Sequence, residues 1–248
     1  MKANPVLHEG LQVYWIEGHA FVPYACVLAL LAPIEFLTLF LPSLDPQAWM
    51  GPANLFKASS IAALILITFF VLKLTNQEFV PWKFQPLRRW LEQEGVSTSE
   101  CAQAQLALLL GHALFFVSLS APLLIWAGTV ARAGAGVILT ILLLLLLYSV
   151  AYGVWGLAAV SLWERKAENR QVFVRALFGV AVFLSALFYL PLNPIAYLLS
   201  YLGRKEMAVL VVGGWKGSAT MVHLSFHFLL LVSGLVVYRL GLRRVGRH

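Results

Sequence analysis

The chain has 248 residues, 60% of them hydrophobic and 12% charged, with a mean hydropathy of +0.82 and a formal charge of +7. A soluble globule has too little polar surface to cover that apolar content, so the composition excludes a water-soluble domain and points to a membrane protein. The two cysteines, Cys26 in the first apolar run and Cys101 after a polar stretch, exclude a disulfide framework and read as packing residues.

At the N-terminus, NPVLHEGLQVYWIEGHAF places Pro5 at a helix start and Leu7, Leu11, Tyr14 and Trp15 on one side, which predicts an interfacial helix over 5–19. The first apolar run begins near Phe21 behind acidic and polar residues, with no basic leader or small-residue cleavage site, so its span is expected to stay in the chain. Crossing a ~30 Å hydrocarbon layer takes ~20 apolar residues. Six segments qualify, at 21–41, 58–74, 104–127, 137–163, 176–190 and 219–240, which predicts an all-α membrane protein of six transmembrane helices.

Between the second and third spans lies the longest polar connection, a loop over 75–103 that contains WKFQPLRRWLEQEG at 82–95. Pro86 suits a first helical turn and Gly95 a helix end. Between them Leu87, Trp90 and Leu91 share one face, while Arg88, Arg89, Glu92 and Glu94 are polar, so a short amphipathic helix is expected. Ser97 precedes Glu100 by the spacing of a capping box and predicts a helix start that runs into span three. Span four carries no charge until Glu164. Span five is the shortest, and after Pro191 the apolar text resumes as LNPIAYLLSYLG and MAVLVVGG, which predicts a broken or re-entrant segment over 191–218.

Orientation follows from basic residues. With the N-terminus inside, Lys2, Lys73, Lys83, Arg88, Arg89, Arg165, Lys166, Arg170, Arg175, Arg239, Arg243, Arg244 and Arg247 are internal, thirteen of the eighteen Lys and Arg residues. Both termini are therefore expected in the cytoplasm. The positive charge reads as topology and contact with anionic membrane lipid, and no basic stripe interleaved with aromatics supports nucleic-acid binding.

Ionisable groups inside spans cost at least ~2.5 kcal/mol on insertion scales, so each needs a partner or a cavity. Glu35 in span one shares an expected depth with His223 and His227 of span six, which are four apart on one helix face. Mutual Glu–His pairing explains both; a substrate-lining role, or ligation of a metal or haem with His112 of span three as a further ligand, are the alternatives. His112 is expected nearer the cytoplasmic side. Ser118, Ser120 and Ser225 lie in apolar helices, where hydroxyls bond the preceding turn, and no nucleophile motif or acidic cluster supports catalysis. Gly153, Gly156 and Ala159 allow close helix packing. GGWKGS at 213–218 lacks the spacing of a phosphate loop, so the chain carries no ATPase motif and no cofactor of its own is expected.

The order of these features resembles a type-2 ABC transporter permease, the membrane subunit of ATP-driven exporters. NPVLHEGL looks like that family's Asn-Pro opening, LRRWLEQEGVSTSECAQAQL sits where such permeases carry the coupling helix, and LPLNPIAYLLSYL looks like the outer Asn-Pro segment after span five. Two departures stand out: the inner loop lacks the leucine run ahead of a Thr-Pro pair, and Glu78 stands without the denser acidic and basic cluster. The resemblance implies a separate ABC ATPase subunit that holds ATP and Mg and a second permease subunit, either a copy of this chain or a related one; the charge bias, the compact chain and the lack of a visible organelle-targeting leader predict a bacterial cell inner membrane. It also implies docking of the ATPase on Leu87, Arg88, Arg89, Trp90, Leu91, Glu92 and Glu94. A haem- or quinone-associated membrane subunit using the intramembrane histidines is the reading from another class.

Overall fold

The computed structural model describes residues 4–40, 52–78, 95–163, 166–205, 207, 210–212 and 215–245. Asn4 caps the first helix: its side-chain oxygen accepts from the Val6 and Leu7 amides, and Pro5 occupies the first turn, where a missing N–H costs nothing. That helix, α1 (Pro5–Leu11), continues into one π turn over Gln12–Ile16. The long helices follow as α2 (Phe21–Phe40), α3 (Pro52–Thr75), α4 (Thr98–Val130), α5 (Ala135–Leu162) and α6 (Ala167–Phe188). A 3-10 turn (Leu190–Leu192) leads to the short α7 (Pro194–Gly203), and an antiparallel strand pair, β1 (Leu210–Val212) with β2 (Trp215–Gly217), precedes α8 (Ala219–Val245).

Among the described residues six helices are long and apolar enough to cross a membrane. The fold is all-helical apart from the short hairpin. Helix starts and ends differ from the lengths of the apolar runs where polar residues can still be accommodated. α4 begins at Thr98, because Ser97 and Glu100 form both bonds of a capping box, with Glu100 N to Ser97 Oγ at 3.2 Å and Ser97 N to Glu100 Oε2 at 3.1 Å. α6 starts well before the apolar run at 176, and so includes Arg170 and Arg175. Arg175 is tolerated there because it meets an acid.

α5 lies at the centre and packs against α3, α4, α6 and α8, whereas α2 packs on α3 and α4. Apolar side chains gain little from leaving lipid, so close backbone approach matters more than burial in such a bundle. A Cβ on Gly156 would sit 3.0 Å from the Leu72 carbonyl oxygen and would also collide with Thr75, so α3 and α5 meet there nearly backbone to backbone. Gly153 faces Leu109 and Val71, and Ala159 is fully buried, consistent with small residues serving bundle packing. On α8, Gly234 leaves space for the Trp155 indole, whose N–H donates to the Leu230 carbonyl at 3.0 Å. The outward sides of α6 and α8 expose Phe183, Leu187, Phe188, Phe228 and Leu229, as helices facing lipid do.

α1, the ends of α3, α5 and α8, and the starts of α4 and α6 gather on one face of the bundle, called here the N-terminal face. The chain between α6 and α8 does not remain at the opposite surface. Tyr148 lies about 20 Å along α5 from Ala135, at 1.5 Å per residue. Tyr148 bonds one ring nitrogen of His223 and the Pro191 carbonyl bonds the other, so the turn before α7 sits level with the middle of α5. α7, too short to cross a bilayer, shares a crevice with Thr140, Leu143, Leu144 and Leu147 of the first half of α5 through Tyr197 and Tyr201.

Candidate functional site

A break in helical backbone at membrane depth leaves polar groups that water cannot satisfy. Here side chains satisfy them. The Asn193 side-chain oxygen accepts from Ile195 and Ala196 N–H at 2.9 and 3.0 Å, and its amide donates to the Val182 carbonyl at 2.8 Å, a carbonyl near the end of α6. His223 donates from Nδ1 to the Pro191 carbonyl at 2.7 Å, which fixes its neutral tautomer and leaves Nε2 to accept the Tyr148 hydroxyl proton at 2.6 Å. Tyr197 of α7 stacks on the His223 ring, with centroids 3.9 Å apart and planes 7° from parallel, and its hydroxyl donates to Thr220 at 3.2 Å.

His227, one turn on, donates from Nδ1 to the His223 carbonyl at 2.9 Å. Its Nε2 is buried without a hydrogen-bond partner among the described residues, as is the Tyr152 hydroxyl, and the two rings lie 6.1 Å apart. Two pairs with helical spacing thus face each other, Tyr148 and Tyr152 on α5 against His223 and His227 on α8. The tyrosines were legible as a Tyr-x3-Tyr repeat inside YSVAY, a signal equal in form to His-x3-His but masked by the apolar run around it.

His112 belongs to a second cluster toward the N-terminal face. Its Nδ1 lies 2.8 Å from the Tyr24 hydroxyl, its ring stacks on Trp15 at 4.7 Å and 15°, and Tyr14 meets it edge-on at 4.6 Å. His112 lines a small cavity, about 20 Å³, with Gln105 and Thr75, and its Nε2 has no hydrogen-bond partner among the described residues. Gln105 in turn accepts the Tyr238 hydroxyl of α8.

Glu35 stands apart from both. It is buried, 1% exposed, between α2 and α3, where Ser59 is its polar neighbour. No hydrogen bond within 3.5 Å forms between them: Ser59 donates to the Leu55 carbonyl at 2.8 Å, and neither carboxyl oxygen has a partner among the described residues. The expected Glu–His pairing is therefore not made. Span one packs on spans two and three, span six packs on span four, and His223 satisfies a tyrosine and a backbone carbonyl instead. The four intramembrane polar residues do not form one site, and His223, with both ring nitrogens engaged, offers no free lone pair for ligation.

On the N-terminal face the N-terminal segment grips both ends of the loop between α3 and α4. Tyr14 donates its hydroxyl to the Leu74 carbonyl at 3.1 Å, at the end of α3, and the Asn4 amide donates to the Glu100 carbonyl at 2.9 Å, at the start of α4. Glu78, just past α3, accepts from Arg175 of α6 at 2.7 Å and pairs with Lys73 at 3.2 Å. The acid that stands isolated in sequence is thus the centre of a three-charge group assembled from two spans. Gly95 closes the loop in the left-handed region, with φ 61°. The residues expected to dock an ATPase, Leu87, Arg88, Arg89, Trp90, Leu91, Glu92 and Glu94, lie outside the described residues. No family model matches the chain, and no curated protein matches it significantly.

Proposed function

We propose that the chain is the membrane permease subunit of an ATP-driven ABC transporter, an exporter of the type-2 class, embedded in a bacterial inner membrane with both termini in the cytoplasm. ATP and Mg are held by a separate ATPase subunit, which docks on the amphipathic segment around Arg88 and Arg89. A second permease subunit, a copy or a related chain, completes the pathway.

The observation that supports this reading is the bracing of the inner loop. Tyr14 holds its entrance at Leu74, Asn4 holds its exit at Glu100, and Glu78 ties the same corner to α6 through Arg175. A load applied between these points reaches α3, α4, α6 and the N-terminal helix together, which is what a lever for a partner motor requires. A loop that only rested in the headgroups would need none of these three ties.

The test is affinity purification of the full chain from its native membrane. An ABC ATPase that accompanies the wild type and hydrolyses ATP in the complex is expected to be lost from the Arg88→Glu/Arg89→Glu variant, while insertion of all spans is retained. Recovery of the ATPase at wild-type level with that variant would remove the docking assignment. A haem absorption band in the purified protein that vanishes with His227→Leu would instead support the cofactor-bearing reading.

A further inference from the structure

Arginines at the inner end of a span are ordinarily explained by the charge bias of membrane insertion. Arg239 and Arg243 of α8 do something more specific. They are one turn apart on one face and line, with Thr98, Ser99 and Gln103 of α4, a crevice of about 400 Å³ between the two helices. Its remaining walls are Ala102, Leu106 and Leu242. Neither guanidinium has an acidic partner among the described residues. The nearest acid in sequence, Glu100, does not line the crevice, and its carboxylate is engaged by the Ser97 amide and hydroxyl.

We infer that this crevice binds the phosphate headgroup of an anionic phospholipid. Two unpaired guanidiniums with hydroxyl and amide groups beside them match a phosphate diester, since Arg presents a fork of donors to such oxygens. The apolar walls, Ala102, Leu106 and Leu242, match the glycerol and first acyl carbons. The position fits the boundary between hydrocarbon and headgroups, because the crevice lies where two membrane-crossing helices emerge on the N-terminal face. Basic pockets between spans at that level are recognition sites for acidic lipids. The inference does not depend on the ATPase reading: a lipid site here would stand if no motor docked on the loop.

The test uses the full chain purified in neutral detergent and examined by native mass spectrometry against phosphatidylglycerol and phosphatidylcholine of identical acyl chains, with inorganic phosphate as competitor. The wild type is expected to retain phosphatidylglycerol at least about tenfold better than phosphatidylcholine. The Arg239→Gln/Arg243→Gln variant is expected to bind phosphatidylglycerol about thirtyfold more weakly, the effect of two basic side chains near a surface. Removing the same charge at the other face, with Lys57→Gln/Arg132→Gln, is expected to leave binding unchanged. Equal retention of both lipids by the wild type overturns the inference, as does wild-type affinity in the Arg239→Gln/Arg243→Gln variant. Displacement of the lipid by millimolar inorganic phosphate without any lipid preference assigns the crevice to a soluble phosphate and also overturns it. Should the double glutamine variant fail to fold, the lipid comparison on the wild type decides alone.

Discussion

The Asn4 side chain donates to the Glu100 carbonyl at 2.9 Å while its own oxygen caps α1. One residue thereby starts the first helix and fastens it to the fourth. Asn4→Ala removes the cap and the tie together, at about 1–2 kcal/mol for the helix and its docking. Limited proteolysis in detergent should cut between α1 and α2 in Asn4→Ala several times faster than in the wild type; an unchanged cleavage rate would show that the tie carries no load. Asn4→Asp, which keeps the cap and loses the donor, is expected to fall between.

Tyr148→Phe deletes the hydroxyl that His223 Nε2 accepts and changes little else in shape. Interhelical hydrogen bonds in membranes are worth about 0.6 kcal/mol on average and under about 2, so a loss in that range is expected in reversible unfolding in mixed micelles. His223→Leu goes further, since it frees the Pro191 carbonyl at membrane depth. A reporter Leu192→Cys should then react with a water-soluble maleimide several-fold faster than in the His223 background. Equal labelling in both backgrounds counts against His223 as the support of the turn.

Glu35 has no hydrogen-bonding partner among the described residues, so its carboxyl is a cost to the fold rather than a support. Glu35→Gln is expected to insert as well as the wild type and to be equally stable or up to about 2 kcal/mol more stable. If Glu35 also lines a transport path, the same variant loses cargo movement without losing stability. A marked fall in stability would mean that the carboxyl has a partner.

Glu78 and Arg175 lend themselves to a charge exchange. Glu78→Arg alone places three cations together and should cost about 1–2 kcal/mol, while Glu78→Arg with Arg175→Glu should recover at least half of that. Absence of recovery in the double variant, measured by thermal unfolding at low salt, would show the group to be only a surface contact.

Gly156→Leu tests the closest approach in the bundle. A side chain there meets the Leu72 backbone and Thr75, neither of which can yield without moving α3, so a loss of about 3 kcal/mol or failure to assemble is expected. Gly136→Leu, at a site with open space around the Cβ position, is the control and should be neutral.

The spans were legible because length and hydropathy alone decide what crosses hydrocarbon, and Ser97 with Glu100 was legible because a capping box is local. The start of α6 was hidden by Arg170 and Arg175, since an apolar run stops at a charge whereas a helix continues through it, as it does at Arg175, which meets Glu78. The surroundings of Glu35 and the partners of the histidines were not legible, because which spans touch is fixed by small residues such as Gly156 and Gly234 acting over distance in the chain. Depth and helical spacing placed Glu35 and His223 together; helix order kept them apart. The seat of His223 was invisible for a further reason, its partner being the carbonyl of Pro191, a group that every residue type carries.

The tie between Asn4 and Glu100 joins positions 96 apart, which sets a sequence of events during synthesis. At roughly 5–20 residues per second, the opening helix waits about five to twenty seconds after it emerges before its anchor exists. Until α3 has been made the nascent segment has only the bilayer surface to rest on, and Leu7 and Leu11 on one side give it a means of doing so; Tyr14 then reaches the Leu74 carbonyl before Asn4 reaches Glu100. Translation itself thus orders assembly: the helix parks on lipid, is held at α3, and is then fastened at α4, before the later spans exist.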